Sequence, residues 1–351
     1  MSASAVALAA SSMSRATLGW SLAEIRVVRY ALGATVAMAI ALGSPWETSY
    51  LTPVLVATFL AYPDKPLTPR LGAALIAIVG VAIWFGWQVG RLIDHPAVFL
   101  LAASLVLFWI FYGGQRGRSP LVLLWLVIAV LMLPFARMVY PAAAVFVARG
   151  LVVDVVLTAT VVVVAYGLLP ERQAGVAGPP ADDDGPAAVS SDESFRNALV
   201  ATVVVVPLMA LFYFFELSGA LTVLAYVGIL SALPDIGTDV QKGKERIWGN
   251  IAGGAVAILI YNLLLIVPMF SFLLLLILLA GLALGARAFA SDEPDAFFVT
   301  AYSTTLLITG ATAFRGEASS EVYLRIIQIT IAVTYVVVGF EFVNRLFPAR
   351  R

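Results

Sequence analysis

The chain contains no cysteine, so disulfides, thiol nucleophiles and thiolate metal sites are excluded at the outset. It has one histidine, His95, which excludes a multi-histidine metal centre. Lysine is confined to Lys65, Lys242 and Lys244, and arginine supplies the other basic residues. The 21 basic residues balance 21 acidic ones, so no basic surface is available for nucleic acid. Only 12% of the 351 residues are charged. The signatures H-E-x-x-H, G-x-S-x-G and G-x-x-x-x-G-K-[ST] are all missing. No enzymatic activity, cofactor or bound metal is therefore expected.

What the chain does have is apolar surface. Hydrophobic residues make up 62% of it, and its mean hydropathy is +0.99. A soluble domain is about 45–50% apolar and about 25% charged. So thin a charged shell cannot cover a water-soluble fold of this size, and the solvent that suits the composition is lipid. The N-terminal MSASAVALAASSMSRATLGW has a short apolar run with no basic region ahead of it. It does not read as a cleaved signal, and the first membrane segment is expected to act as the targeting signal.

A membrane helix needs about 20 mainly apolar residues. Twelve candidate segments follow: 25–43, 50–62, 71–90, 97–112, 120–136 and 143–169, then 197–215, 219–233, 247–266, 269–286, 297–312 and 322–343. Segments 50–62 and 219–233 are short enough to be tilted, half-buried or re-entrant. With the N-terminus in the cytoplasm, only Arg91, Arg137, Arg149, Arg315 and Arg325 fall on the outer side, and the other sixteen basic residues fall inside. The positive-inside rule therefore places both termini in the cytoplasm. The expected organisation is a cytoplasmic segment 1–24, a six-helix repeat 25–169, a cytoplasmic linker 170–196, a second six-helix repeat 197–343 and a tail 344–351. Within the linker, 171–194 is rich in Pro, Gly and Asp and reads as flexible. Its Asp182–Asp184 run reads as a solvated acidic stretch rather than a metal site.

The two halves resemble each other. Arg29-Tyr-Ala-Leu-Gly-Ala-Thr-Val36 aligns with Arg196-Asn-Ala-Leu-Val-Ala-Thr-Val203, identical at six of eight positions. Leu51-Thr52 aligns with Leu221-Thr222, Pro63-Asp64 with Pro234-Asp235, Arg70 and Gly72 with Arg246 and Gly249, and Arg149 with Arg325. An even number of spans per half gives both the same orientation, related by an axis along the membrane normal. The expected fold is thus all-α, a polytopic membrane protein of about twelve transmembrane helices in two parallel six-helix repeats. Such repeats are a transporter architecture.

An Arg at the start of the first span, a short second span ending in Pro-Asp, and Arg246-Ile-Trp-Gly249-Asn-Ile-Ala-Gly253 opening a third span form an ordered, duplicated set. With Arg149-x-x-x-x-Asp154 in the sixth span, this set resembles the fusaric-acid-resistance family of aromatic acid exporters. The resemblance covers both halves. It implies an inner-membrane protein that exports aromatic carboxylates using the proton-motive force. It also implies a periplasmic adaptor of the membrane-fusion type as a partner for some members, while related plant proteins are malate-type anion channels. The chain lacks the large cytoplasmic domains of the longer members and looks more like the compact, uncharacterised branch of that clan.

Charge within a span costs about 2.5–3.5 kcal/mol near the helix centre, so it persists where it is paired, hydrated or functional. Asp154, well inside the sixth span, is the proton-coupling candidate; the alternative is a structural ion pair. Arg149 lies roughly 140° around the helix from it and is not its natural partner. Arg149 and Arg325, with Gln328 one turn later, are candidates for gripping a substrate carboxylate; the alternative is snorkelling to the interface. Thr330 stands where the second half would repeat Asp154. Asp64, Arg70, Asp235 and Arg246 are candidates for a cytoplasmic gate, against a plain capping role. Gly249, Gly253 and Gly254 form a small-residue face for helix packing. Trp84, Trp87, Trp109 and Trp125 read as belt or packing residues before they read as a substrate stack.

The leading reading is an inner-membrane exporter of small organic anions, with the lipid bilayer and protons as its other partners. The rivals are a passive anion channel and a non-transporting subunit that anchors a periplasmic adaptor. Gly-rich faces permit homo-oligomers.

Overall fold

The computed structural model describes residues 20–44, 46, 48–61, 69–116, 120–170, 191–215, 224, 227, 240–291 and 293–312, and positions 327, 331, 335, 338, 339, 342 and 343. Among these residues there are ten α-helices and no strand. In chain order they are α1 (Leu22–Gly43), α2 (Leu51–Ala61), α3 (Pro69–Gly90), α4 (Pro96–Gln115) and α5 (Pro120–Val139), followed by α6 (Pro141–Leu168), α7 (Ser191–Phe214), α8 (Val240–Ile266), α9 (Phe270–Ala288) and α10 (Ala296–Thr312).

Local chemistry sets the starts. The Ser21 hydroxyl accepts the Glu24 amide at 3.2 Å, and the Glu24 carboxylate accepts the Ser21 amide at 2.7 Å. This reciprocal capping box opens α1. Helices α3 to α6 each begin on proline: Pro69, Pro96, Pro120 and Pro141. A residue without an N–H loses nothing at the first helical position, and its fixed φ already suits the helix. Helix α7 begins at Ser191, inside the stretch expected to be linker, with Asp192 and Glu193 in its first turn. There the helix dipole favours acidic side chains.

Seven helices (α1, α3, α4, α6, α7, α8 and α9) contain apolar stretches long enough to cross a membrane. Helices α2 and α10 and the Leu123–Val139 part of α5 are shorter apolar segments. The protein is therefore membrane-embedded, and all of its regular structure among the described residues is helical. The expected segments 219–233 and 322–343 lie mostly outside the described residues, as does most of 171–194.

The outward faces confirm the solvent. Val98, Leu101, Leu105 and Trp109 recur at helical spacing along α4 and are all exposed. On α9 Leu275 and Leu279 face outward, while Leu273, Ile277, Gly281 and Gly285 are buried. A continuous apolar stripe of this kind is a lipid contact.

The chain divides into two compact units. The first comprises Met1–Ala74, Val153–Ala177 and Trp248–Val322. In it α1 packs on α2 and α9, and α10 packs on α2 and α9. Every residue of α2 except Thr58 is buried. Helix α10 is also buried along nearly its whole length. Two glycine contacts draw α8 close to α10. A Cβ on Gly249 would lie 2.6 Å from the Phe297 carbonyl oxygen, and one on Gly253 would collide with the Ala301 carbonyl oxygen. Across this seam the Thr304 hydroxyl donates to Asn250 Oδ1 at 2.6 Å, and the Thr305 hydroxyl lies 3.1 Å from the Gly253 carbonyl.

The second unit comprises Leu75–Val152, Gly178–Ile247 and Tyr323–Arg351. Here α4 packs on α5 and α7. Helix α5 is apolar all round and buried from Val127 through Ala136, as such a helix must be. Phe99 is fully buried and meets Phe135 edge-on at 6.0 Å and Tyr213 at 5.3 Å. The Tyr213 hydroxyl donates to the Ile93 carbonyl at 2.7 Å, so the one polar tip in this cluster is satisfied.

Candidate functional site

Helix α6 carries a buried carboxyl of the first unit. Its exposed positions include Val152, Val156, Thr160 and Val164, one every fourth residue. Asp154 stands off that stripe and is fully buried. Arg149, five residues earlier, is exposed. The two side chains thus have different surroundings, as their angular separation on the helix requires.

Asp154 is met from the segment that leads into α2. The Thr52 hydroxyl donates to Asp154 Oδ1 at 2.6 Å, and the Trp46 indole N–H donates to the same oxygen at 3.0 Å. The Thr48 hydroxyl lies beside the carboxyl closely enough to act on it electrostatically, but its geometry falls short of a hydrogen bond. Asp154 Oδ2, Thr48 Oγ1 and Thr158 Oγ1 are all buried and have no hydrogen-bond partner among the described residues. An unsatisfied buried polar atom costs about 1–3 kcal/mol, so three on neighbouring side chains form a costly cluster. No charged side chain among the described residues faces Asp154. Its contacts are neutral donors, which can hold the carboxylate or release a protonated acid without breaking an ion pair.

Arg29 is a second buried charge. The 25–43 boundary puts it near the end of the first span, but the capping box starts α1 at Leu22 and carries Arg29 about two turns in. It is fully buried, donates from Nη1 to the Leu169 carbonyl at 3.2 Å, and lies 3.9 Å from the centre of the Tyr166 ring. A guanidinium is favoured both at the carbonyl end of a helix and over an aromatic face. The Ser21-x-x-Glu24 pattern was the signal that could have given this depth.

The other candidates are placed as follows. Gly249 and Gly253 face α10, and Gly254 is buried beside them. Trp84, Trp87 and Trp109 are exposed on apolar helices, and Trp125 is fully buried. His95 precedes Pro96 at the start of α4 and is exposed. Arg70 lies in the first turn of α3 and Arg246 in the second turn of α8, and their side chains are outside the described residues. Asp64, Asp235, Arg325 and Gln328 also lie outside the described residues. Among the described residues no group of three or more His, Cys, Asp or Glu could hold a metal ion.

Residues 26–165 match a family described as "Protein of unknown function (DUF2955)". The matched stretch runs from α1 into α6 and contains Trp46, Thr48, Thr52 and Asp154. That description names no activity, so it neither supports nor opposes the likeness to aromatic acid exporters. No curated protein and no solved structure matches the chain.

Proposed function

We propose that this protein is an inner-membrane transporter that exports small organic anions, aromatic carboxylates in particular, against proton entry, with Asp154 carrying the proton. The observation behind this reading is a fully buried carboxylate in a membrane-embedded helix, held by a hydroxyl and an indole. An intramembrane acid without a cationic partner is costly to keep, and a transported proton gives a reason to keep it. The substrate class rests on the family resemblance. The exposed Arg149 and its counterpart Arg325 are the proposed anion contacts, and a periplasmic adaptor or a second copy of the chain are the proposed partners.

The reading includes twelve spans in two parallel repeats, with both termini in the cytoplasm. The membership of the compact units supports the repeat. The first unit draws the first, second and sixth segments from the first half and the third, fourth and fifth from the second. The second unit draws the complementary set. The fifth segment of each half, α5 and α10, is also a buried helix in its own unit. A duplicated chain would produce this exchange of equivalent pieces. A reporter fused near Gly185 should read cytoplasmic; a periplasmic reading would sink the orientation and the parallel repeat together.

The test of function is uptake of aromatic acids into inverted vesicles with and without a pH gradient. The wild type should accumulate substrate only with the gradient, whereas a channel would equilibrate it without one. Asp154→Asn should lose gradient-driven accumulation while still exchanging substrate down its own gradient. Unchanged gradient-driven transport in correctly folded Asp154→Asn would remove the residue from the mechanism.

A further inference from the structure

We infer that the oxygens gathered at Asp154 form a binding site for a small, hard monovalent cation, sodium. The inference shares Asp154 with the proposed proton-coupled export but does not depend on it.

Two elements supply the oxygens. Asp154 and Thr158 are one turn apart on the buried face of α6. Thr48 and Thr52 come from the turn before α2 and from its first residues. The Thr52–Asp154 hydrogen bond ties the two elements together at 2.6 Å. Both hydrogen bonds to the carboxylate fall on Oδ1; Oδ2 makes none, and the Thr48 hydroxyl is the donor that stands beside the carboxyl without completing one.

The threonines separate into two groups. Thr35, Thr58, Thr160, Thr202 and Thr312 each donate to the carbonyl four residues earlier in their own helix. Thr158 makes no such bond although Asp154 offers that carbonyl. Thr48 is also without a bond, as is Thr309 on α10, but Thr48 stands beside the Asp154 carboxyl and Thr158 one turn from it. Both are at most 1% exposed. Two buried hydroxyls are thus not spent on the usual helical acceptors, and one carboxylate oxygen accepts no hydrogen bond.

The chemistry of the set selects the ligand. Every candidate ligand is oxygen, which suits a hard ion; the Trp46 indole N–H donates to Oδ1 and is not a ligand. The set carries one formal charge, and the charged groups on the packed elements leave it uncompensated: no described Arg, Lys or His touches Asp154. One negative charge matches a monovalent ion. A water molecule could satisfy the hydroxyls, but it would leave the carboxylate charge without a counter-charge.

The experiment uses the purified full-length protein in detergent. Thermal unfolding is followed at constant pH and ionic strength as sodium chloride replaces choline chloride. Sodium should raise the midpoint once its concentration passes its dissociation constant and logarithmically thereafter, by about 2 °C at tenfold excess. Asp154→Asn should abolish the rise. Thr158→Val and Thr48→Val keep the carboxylate and each remove one ligand, and each should raise the sodium concentration at which the midpoint begins to rise at least tenfold. The threonine variants carry the test if Asp154→Asn does not fold. Equal stability in sodium and choline, or an unchanged onset concentration in both threonine variants, overturns the proposal. Proton-driven uptake in sodium-free vesicles is measured alongside: if it persists while sodium shows no effect, the cation site is wrong and the proton reading stands.

Discussion

The interiors of the two compact units are built from different materials. The interior of the first is threaded with polar groups: Arg29, Asp154, Asn250 and the threonines of α2, α6 and α10. The interior of the second is aromatic around Phe99, Phe135, Phe212 and Tyr213. In lipid, burial of apolar side chains gives little net drive, because the tails outside are as apolar as the core inside. Helices must then be held by close packing or by hydrogen bonds. The second unit combines interlocked rings with a close Gly86–Ala129 contact and an Asn197–Gln115 bond, while the first draws more on cross-helix hydroxyls beside its glycine contacts. Rings hold a shape without chemistry, whereas buried oxygens hold it at a cost that a bound ion or proton can offset. The candidate site accordingly lies in the polar interior.

Substitutions can sharpen this contrast. The largest effect is expected at the α8–α10 seam. Gly253→Ala places a methyl against the Ala301 carbonyl and 2.8 Å from Thr304 Cβ, so the two helices must separate. A loss of about 3 kcal/mol or more is expected by thermal or denaturant unfolding in detergent. Gly80→Ala is the control: nothing lies within 4 Å of its Cβ, and a gain of up to about 1 kcal/mol in helix propensity is expected. Equal outcomes for the two would dissolve the seam argument.

Next comes the aromatic interior. Phe99→Ala should cost about 2–3 kcal/mol, the lower end for such truncations, because the lipid-embedded unfolded state already lacks the transfer term from water. It should not change any ion dependence, and an altered sodium or pH response would break the division of labour between the two interiors. The smallest effect is expected from Thr304→Val. It removes one cross-helix hydrogen bond to Asn250 at nearly constant volume and should cost about 1 kcal/mol in the same unfolding assay.

The helices were legible because a lipid-embedded segment must be a long apolar run, and proline opens four of them. Asp154 stood out as an acid inside such a run. Its partners did not, because Trp46 and Thr52 lie more than a hundred residues away and nothing in their local sequence points to α6. Arg29 was legible as a basic residue but not as a buried one, since its depth follows from a cap four residues long rather than from hydropathy. Membership of the compact units was hidden for a related reason: composition reports which segments enter lipid, not which neighbours they choose there.

The bond from Arg29 to the Leu169 carbonyl spans 140 residues, and it gives the chain a clock. Helix α1 is made early, yet the carbonyl and the ring that receive its guanidinium are at the far end of α6. At roughly 5–20 residues per second, the ribosome needs on the order of ten seconds to deliver them. Through that interval Arg29 must be kept in water, among headgroups or within the insertion machinery. Helix α1 is therefore locked by this bond only when α6 has been completed.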